Sequence, residues 1–249
     1  MSNRVVMVVH SEWREKRISP HLTARGYQVE CRCPAQGDRL PENVEDYAAA
    51  IVLGGVQSAN DADNVDYMRH ELDWIRRWVQ QDRRYLGICL GGQLLARALG
   101  ATVKTHPQGL HEIGYWPIEP TKESGDLFAG LGHVYHWHKE GFDLPQGAEL
   151  LARGARFPHQ AFRWRQAYGL QFHPEVTGED ARVWLGETPD YEARPGAQPR
   201  DLHLASIEKH DAALGRWTLR FIDRWIGETR ADSRPSPVSI VATPRVAHG

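Results

Sequence analysis

The chain has 249 residues, 41% of them hydrophobic, with three cysteines and a formal net charge of −2. That length and apolar content suit one large α/β domain or two small ones, with a sizeable core. The near-balanced charge, with no basic block, argues against nucleic-acid binding; no apolar run approaches the ~20 residues of a membrane span. An odd cysteine count without framework spacing argues against structural disulfides and suits a reducing compartment. The N-terminus enters a strand with no signal-peptide pattern, so the expected location is cytoplasmic.

Arg4 to Val9 is predicted as a buried, Val-rich first strand, with His10-Ser11-Glu12 at its carboxyl end, where open α/β sheets place ligand loops. Trp13 to Arg25 includes a helix interrupted near Pro20, ended by Gly26. Tyr27 to Cys33 is a second strand, which would put Cys31 and Cys33 on one face as packing residues. Tyr47 to Leu53 leads into a third strand, followed by Gly54-Gly55-Val56. Val65 to Gln81 is an amphipathic helix with Met68, Leu72, Ile75 and Val79 at helical spacing. It is expected to pack on the sheet and carry no chemistry.

Tyr85 to Ile88 is a short apolar strand, and Gln93 to Leu99 are helix formers. Between them Cys89 stands among Gly87, Gly91 and Gly92. Small neighbours around one nucleophilic side chain are what a nucleophile elbow needs, because the backbone must close sharply and a substrate must approach. The N-terminus of the following helix would lie beneath the sulfur and favour thiolate. Alone, this pattern is no better than a buried core cysteine.

Further on, Glu112 to Ile118 is a strand broken by Gly114, and Glu112 reads equally as a solvated loop acid or a partner for a substrate ammonium. Val134 to Glu140 puts His136 and His138 on one strand face; with His111 and His133 unplaced, spacing alone does not carry a metal site, and none is assigned. Ala148 to Arg153, Gln160 to Trp164 and Ala167 to Phe172 are short strands, the last delivering His173-Pro174-Glu175. Pro174 keeps His173 out of helical geometry and fixes the chain between two side chains. A thiol needs a base, and the base needs a third group to hold its tautomer. Cys89, His173 and Glu175 fill those roles.

Thr177 to Asp180 reads as a helix N-cap, with a helix to about Leu185. Gly186 to Pro199 is an irregular excursion, either a lid or a loop. Leu204 to Ile226 is a long helix with an apolar stripe of Ile207, Leu214, Trp217, Phe221 and Trp225, capped by Gly227. Residues 228–249, rich in Pro, Ser and Ala, read as a disordered tail beyond a domain of residues 1–227.

Gly87-Ile88-Cys89-Leu90-Gly91-Gly92-Gln93 together with Phe172-His173-Pro174-Glu175 resembles the class I, triad-type glutamine amidotransferases, in their stand-alone, GMP-synthase-like group. The resemblance runs from about residue 4 to residue 227 in motif order. The alternation of strands and helices already argues for a doubly wound, mainly parallel sheet. The resemblance adds a three-layer, flavodoxin-like form with a smaller antiparallel section. It implies an oxyanion hole from the backbone N–H groups of Leu90 and of Gly54 or Gly55, although Val56 stands where the family commonly has proline. It implies that Gln93 binds the amino-acid end of glutamine, and that Gly114 and Tyr115 lie near the same group. The implied activity is release of ammonia and then glutamate through a γ-glutamyl thioester, with no cofactor.

Neither a Walker phosphate loop nor a dinucleotide fingerprint is present. The readings left open are a glutaminase serving a separate ammonia-accepting synthetase, a stand-alone hydrolase of γ-glutamyl amides or peptides, and a non-catalytic module on the same scaffold.

Overall fold

The computed structural model describes residues 2–11 and 15–227. The expected tail at 228–249 and Trp13 lie outside the described residues. The chain runs β1 (Arg4–Val8), α1 (Ile18–Ala24), β2 (Gln28–Arg32), β3 (Ala49–Val52), α2 (Asp66–Gln80), β4 (Arg84–Ile88), α3 (Leu90–Ala98), β5 (Val103–Thr105) and β6 (Glu112–Pro117). It continues through β7 (Glu119–Pro120), β8 (His133–His138), β9 (Glu140–Phe142), β10 (Glu149–Arg153), β11 (Ala161–Trp164), β12 (Ala167–Leu170), α4 (Gly178–Glu187) and α5 (Arg200–Gly227).

Eight strands form one sheet in the order β2-β1-β3-β4-β12-β11-β10-β7. Every pair from β2 to β12 is parallel, and β12-β11-β10-β7 is antiparallel. The short antiparallel pairs β5-β9 and β6-β8 lie outside it. Strand alternation divides the core into two. Val6, Val8, Ala50 and Val52 face α2 and α3, while Val5, Met7, Ala49 and Ile51 face Ile18 and Leu22 of α1 and Trp217 and Phe221 of α5. Helices on both faces of a largely parallel sheet give the expected doubly wound, three-layer architecture.

Three local expectations need correction, and one open alternative, at 186–199, is decided for an anchored loop. Pro20 does not interrupt α1, because it sits in the helix's first turn, where a missing N–H costs nothing. Cys31 and Cys33 do not share a face. The edge strand β2 ends at Arg32, Cys33 turns into the core ahead of Pro34, and Cys31 stays exposed. The 186–199 excursion is anchored: Tyr191 is wholly buried, and Gln198 clasps β6 by accepting from the Tyr115 N–H at 3.0 Å and donating to the Tyr115 carbonyl at 2.6 Å. Glu112 is neither solvated nor free for a substrate; it is buried beside His136 and His138. The Thr177 cap is present as a reciprocal capping box with Asp180, and the α5 stripe is buried as its spacing implies.

Candidate active site

Cys89 joins β4 to α3 at φ +50°, ψ −106°, a backbone conformation that side chains rarely adopt and that costs of order 1–3 kcal/mol. The neighbouring glycines make it attainable. A Cβ on Gly91 would stand 2.0 Å from the Val52 carbonyl oxygen, and one on Gly87 would stand 2.3 Å from the Gly91 oxygen. The helix is therefore drawn directly onto the sheet. Tyr85 Oη donates to the Gly91 carbonyl at 3.0 Å and helps hold it there. Leu90 begins α3, so its N–H belongs to the first-turn donors that have no partner within the helix.

His173 lies three residues beyond β12, the strand paired in register with β4. The Cys89 N–H donates to the Leu170 carbonyl at 2.8 Å, and the His173 N–H donates to the Tyr135 carbonyl at 2.8 Å. Pro174 is pinned through its carbonyl by Arg17 and Thr218, at 2.9 and 3.0 Å. Glu175, 1% exposed, returns to His173, with Oε1 2.8 Å from Nδ1. Burial by itself would lower the proton affinity of His173. The Glu175 charge and then Cys89 outweigh it, and the imidazole pKa is raised to about 10. Its other nitrogen, Nε2, is buried without a hydrogen-bond partner.

Gly54 lies against both Cys89 and His173. A Cβ there would come 2.7 Å from His173 Cε1 and 3.5 Å from Cys89 Cβ. The loop after β3 is fixed by a pair that sequence reasoning missed. His10, at the end of β1, has Nδ1 3.2 Å from the Gly54 carbonyl and Nε2 3.1 and 3.2 Å from the two oxygens of Glu71 on α2. Both side chains are fully buried. Burial would depress the His10 proton affinity, but the Glu71 charge and the two hydrogen bonds raise it. The Gly54 carbonyl can only accept, so Nδ1 carries a proton, and a second proton is shared between Nε2 and Glu71. The helix expected to carry no chemistry thus supplies the group that orients this loop.

Gln93, one turn into α3, is 3% exposed and lines a cavity of about 470 Å³ together with Cys89, Leu90 and Gly55. Its amide donates to the Glu140 carbonyl at 2.9 Å and to Gln171 Oε1 at 3.3 Å. Gln171 in turn has Nε2 3.9 Å from Cys89 Sγ, a contact no sequence motif signalled. Lys139, Glu140 and Arg194 border the same cavity.

Gly114 and Tyr115 are not brought to this site. Gly114 has φ +111°, and the space its Cβ would take is filled by Gln198, whose Oε1 would be 2.3 Å away. The close approach signalled by the glycine is therefore to Gln198. The Tyr115 ring is buried against Tyr135, with its hydroxyl 3.5 Å from Asp211, and lines neither cavity beside the cysteine.

Behind the first cavity, Glu112, His136 and His138 converge, their ligand-type atoms within 4.8 Å of one another; among the described residues this is the set that could hold a metal. The group is also internally bonded. His138 Nε2 is 3.1 Å from Glu112 Oε2 and 3.2 Å from His136 Nδ1, and His138 Nδ1 donates to the Glu140 carbonyl at 3.0 Å. Gln160 donates to Glu112 at 2.8 Å. Burial opposes charge on Glu112, but His136 and His138 overcome it and hold the carboxyl at about 2. Burial also lowers His136, to about 3. The two other histidines weighed for a metal are outside the group: His133 stacks on His210 at 4.2 Å, and His111 is not among the converging ligand atoms.

A family model described as "Glutamine amidotransferase class-I" matches residues 15–184. The chain is 36% identical over 165 residues to the glutamine amidotransferase-like protein YfeJ of Salmonella typhimurium, covering 62% of this chain and 68% of that one. It is 31% identical over 174 residues to a glutamine-hydrolyzing GMP synthase subunit of Methanothermobacter thermautotrophicus, covering 66% of this chain and 86% of the other. Among solved structures, a glutamine amido transferase from Methylobacillus flagellatus superposes with a TM-score of 0.82 at 26% identity, over 91% of this chain and 95% of the other. A glutamine amidotransferase from Thermotoga maritima superposes with a TM-score of 0.80, also at 26% identity, over 90% and 98%. The chain therefore belongs to the class I glutamine amidotransferase family.

Proposed function

We propose that the protein hydrolyses a γ-glutamyl amide through a Cys89–His173–Glu175 triad. The observation that carries this reading is the strained elbow at Cys89 set against His173, whose Nδ1 is held 2.8 Å from Glu175 while Nε2 has no partner. Cys89 sulfur attacks the side-chain carbonyl of the γ-glutamyl group. The oxyanion is met by backbone N–H groups of Leu90 and of Gly54 or Gly55. His173 gives the Nε2 proton to the departing nitrogen as the C–N bond breaks, leaving a thioester. Water then attacks, His173 takes its proton, the C–S bond breaks and glutamate leaves. Gln93 has committed its amide hydrogens to Glu140 and Gln171, so the carbonyl oxygen is what it has left to offer a substrate ammonium. This chemistry draws on no cofactor.

The relatives named as GMP synthase subunits support a second reading, in which the ammonia passes to a separate synthetase. Glutamate release by the wild-type chain and by Cys89→Ala, from glutamine and from γ-glutamyl compounds, tests the triad. Cys89-dependent release is expected. Release that survives the substitution would remove Cys89 as nucleophile, and release that appears only with an ATP-using partner would favour the synthetase reading.

A further inference from the structure

Two cavities, not one, meet at the reacting pair. The first, about 470 Å³, contains Cys89 and Gln93; the second, about 480 Å³, contains His173 and Glu175 but not Cys89. Gly55, Val56 and Trp137 line both. The second lies at the carboxyl ends of the neighbouring strands β1 and β3, from which the chain runs on to opposite sides, toward β2 and β4, with His10 and Gly54 in its lining.

The proposed proton path gives the cavities different duties. The group that leaves takes its proton from His173, so it sits on the His173 side, while the glutamyl part sits beside Cys89 and Gln93. Ammonia needs about the 30 Å³ share of one water molecule. The second cavity is many times larger than that.

The lining gives the chemistry of what would fill it. Val56 and Val183 are 99% and 48% exposed, two of the three large apolar residues that stand out into solvent among the described residues, and both border this cavity. Trp137 and Trp184 add aromatic faces, and the Trp184 ring meets His173 edge to face at 5.4 Å. The described lining includes Glu187 and no Lys or Arg, whereas the first cavity has Lys139 and Arg194. An apolar wall with Glu187, whose two lining histidines, His10 and His173, are each paired with a buried glutamate, suits an amine with a hydrocarbon or aromatic body and no carboxylate.

We infer that the second cavity is a leaving-group subsite, and that the favoured substrates are γ-glutamyl amides of apolar primary amines rather than glutamine or γ-glutamyl peptides. This rests on the triad reading above. The amide C–N bond breaks, the His173 proton goes to the amine nitrogen, and water supplies the oxygen and the proton that restore glutamate and His173.

The test compares kcat/KM for L-glutamine, γ-glutamylbenzylamide and γ-glutamyl-L-phenylalanine, the last adding a carboxylate to an aromatic leaving group. The benzylamide is expected to exceed each of the others by about tenfold or more. Val183→Lys, a change at a half-exposed helix position, should raise the phenylalanine compound relative to the benzylamide by about tenfold. Equal or better turnover of glutamine, parity between the two aromatic compounds, or an unmoved ratio in Val183→Lys would overturn the subsite. Silence from all three compounds while a glutamine-like electrophile still labels Cys89 would overturn it too, with the nucleophile left standing. Failure of that labelling would overturn both readings.

Discussion

Two buried histidine–glutamate pairs lie side by side at the carboxyl edge of the sheet, and they do different things. In His173–Glu175 the carboxylate takes Nδ1 and the second nitrogen is left open, next to a sulfur. In His10–Glu71 the carboxylate takes Nε2, and the second nitrogen is taken by the Gly54 carbonyl. Both pairs exclude water and both raise the proton affinity of the ring. The difference lies in the remaining valence. A ring with one nitrogen open can move a proton, while a ring with both nitrogens engaged can only hold something in place. What His10 holds is the loop that lies against Cys89.

Cys89→Ala should break the reactive pair's purpose most completely, with glutamate release falling by about 10⁴-fold or more and no thioester detectable by mass spectrometry. Glu175→Gln should come next, with kcat falling by about 10³- to 10⁴-fold, because the amide cannot hold the imidazole in the same tautomer or support its charge.

The pH dependence sharpens the contrast. In the proposed reaction protonated His173 is the acid, so kcat/KM should fall as pH rises through about 10. A folded pKa raised above the unfolded value of ~6.5 also means that this ring's contribution to stability is fully present below that value and lost as pH rises through the folded pKa. NMR titration of His173 in Cys89→Ala should show its pKa lowered, since the cysteine contributes to the rise.

Glu71→Gln should have a smaller kinetic effect, about 10- to 100-fold in kcat with KM little changed, because it loosens a donor loop and removes no reacting group. Its thermal midpoint should fall, since it weakens a fully buried hydrogen-bonded pair, and electrophile labelling of Cys89 should persist. Gln93→Ala is expected to be the mildest, raising KM about tenfold with kcat nearly kept.

The elbow and the His-Pro-Glu step were legible because each is local. The glycines around Cys89 record a close helix-to-sheet approach within one turn of chain, and His173 and Glu175 are two residues apart. The strands of the parallel section and the long α2 and α5 were legible from period alone. His10–Glu71 was not, because 61 residues separate the partners and only the order β1-β3-β4, with α2 packed above, makes them neighbours. Gly114 carried a true signal of close approach but no indication of what approaches; that is Gln198, 84 residues on. The Glu112–His136–His138 group was half visible as a His-x-His pair and became complete only when β6 paired with β8.

The register between β4 and β12 has one more consequence. Gly87 faces Gly169 and Ile88 faces Leu170, and the Cys89 N–H closes the same ladder. The sulfur therefore stands on the last rung of a ladder in the middle of an eight-stranded sheet, and the imidazole three residues beyond the partner strand, tied by its own N–H to Tyr135. Partial melting at the sheet's edges should leave their spacing untouched. During denaturation, catalysis and the protection of these central amides from hydrogen exchange should disappear together, so that residual activity counts folded molecules.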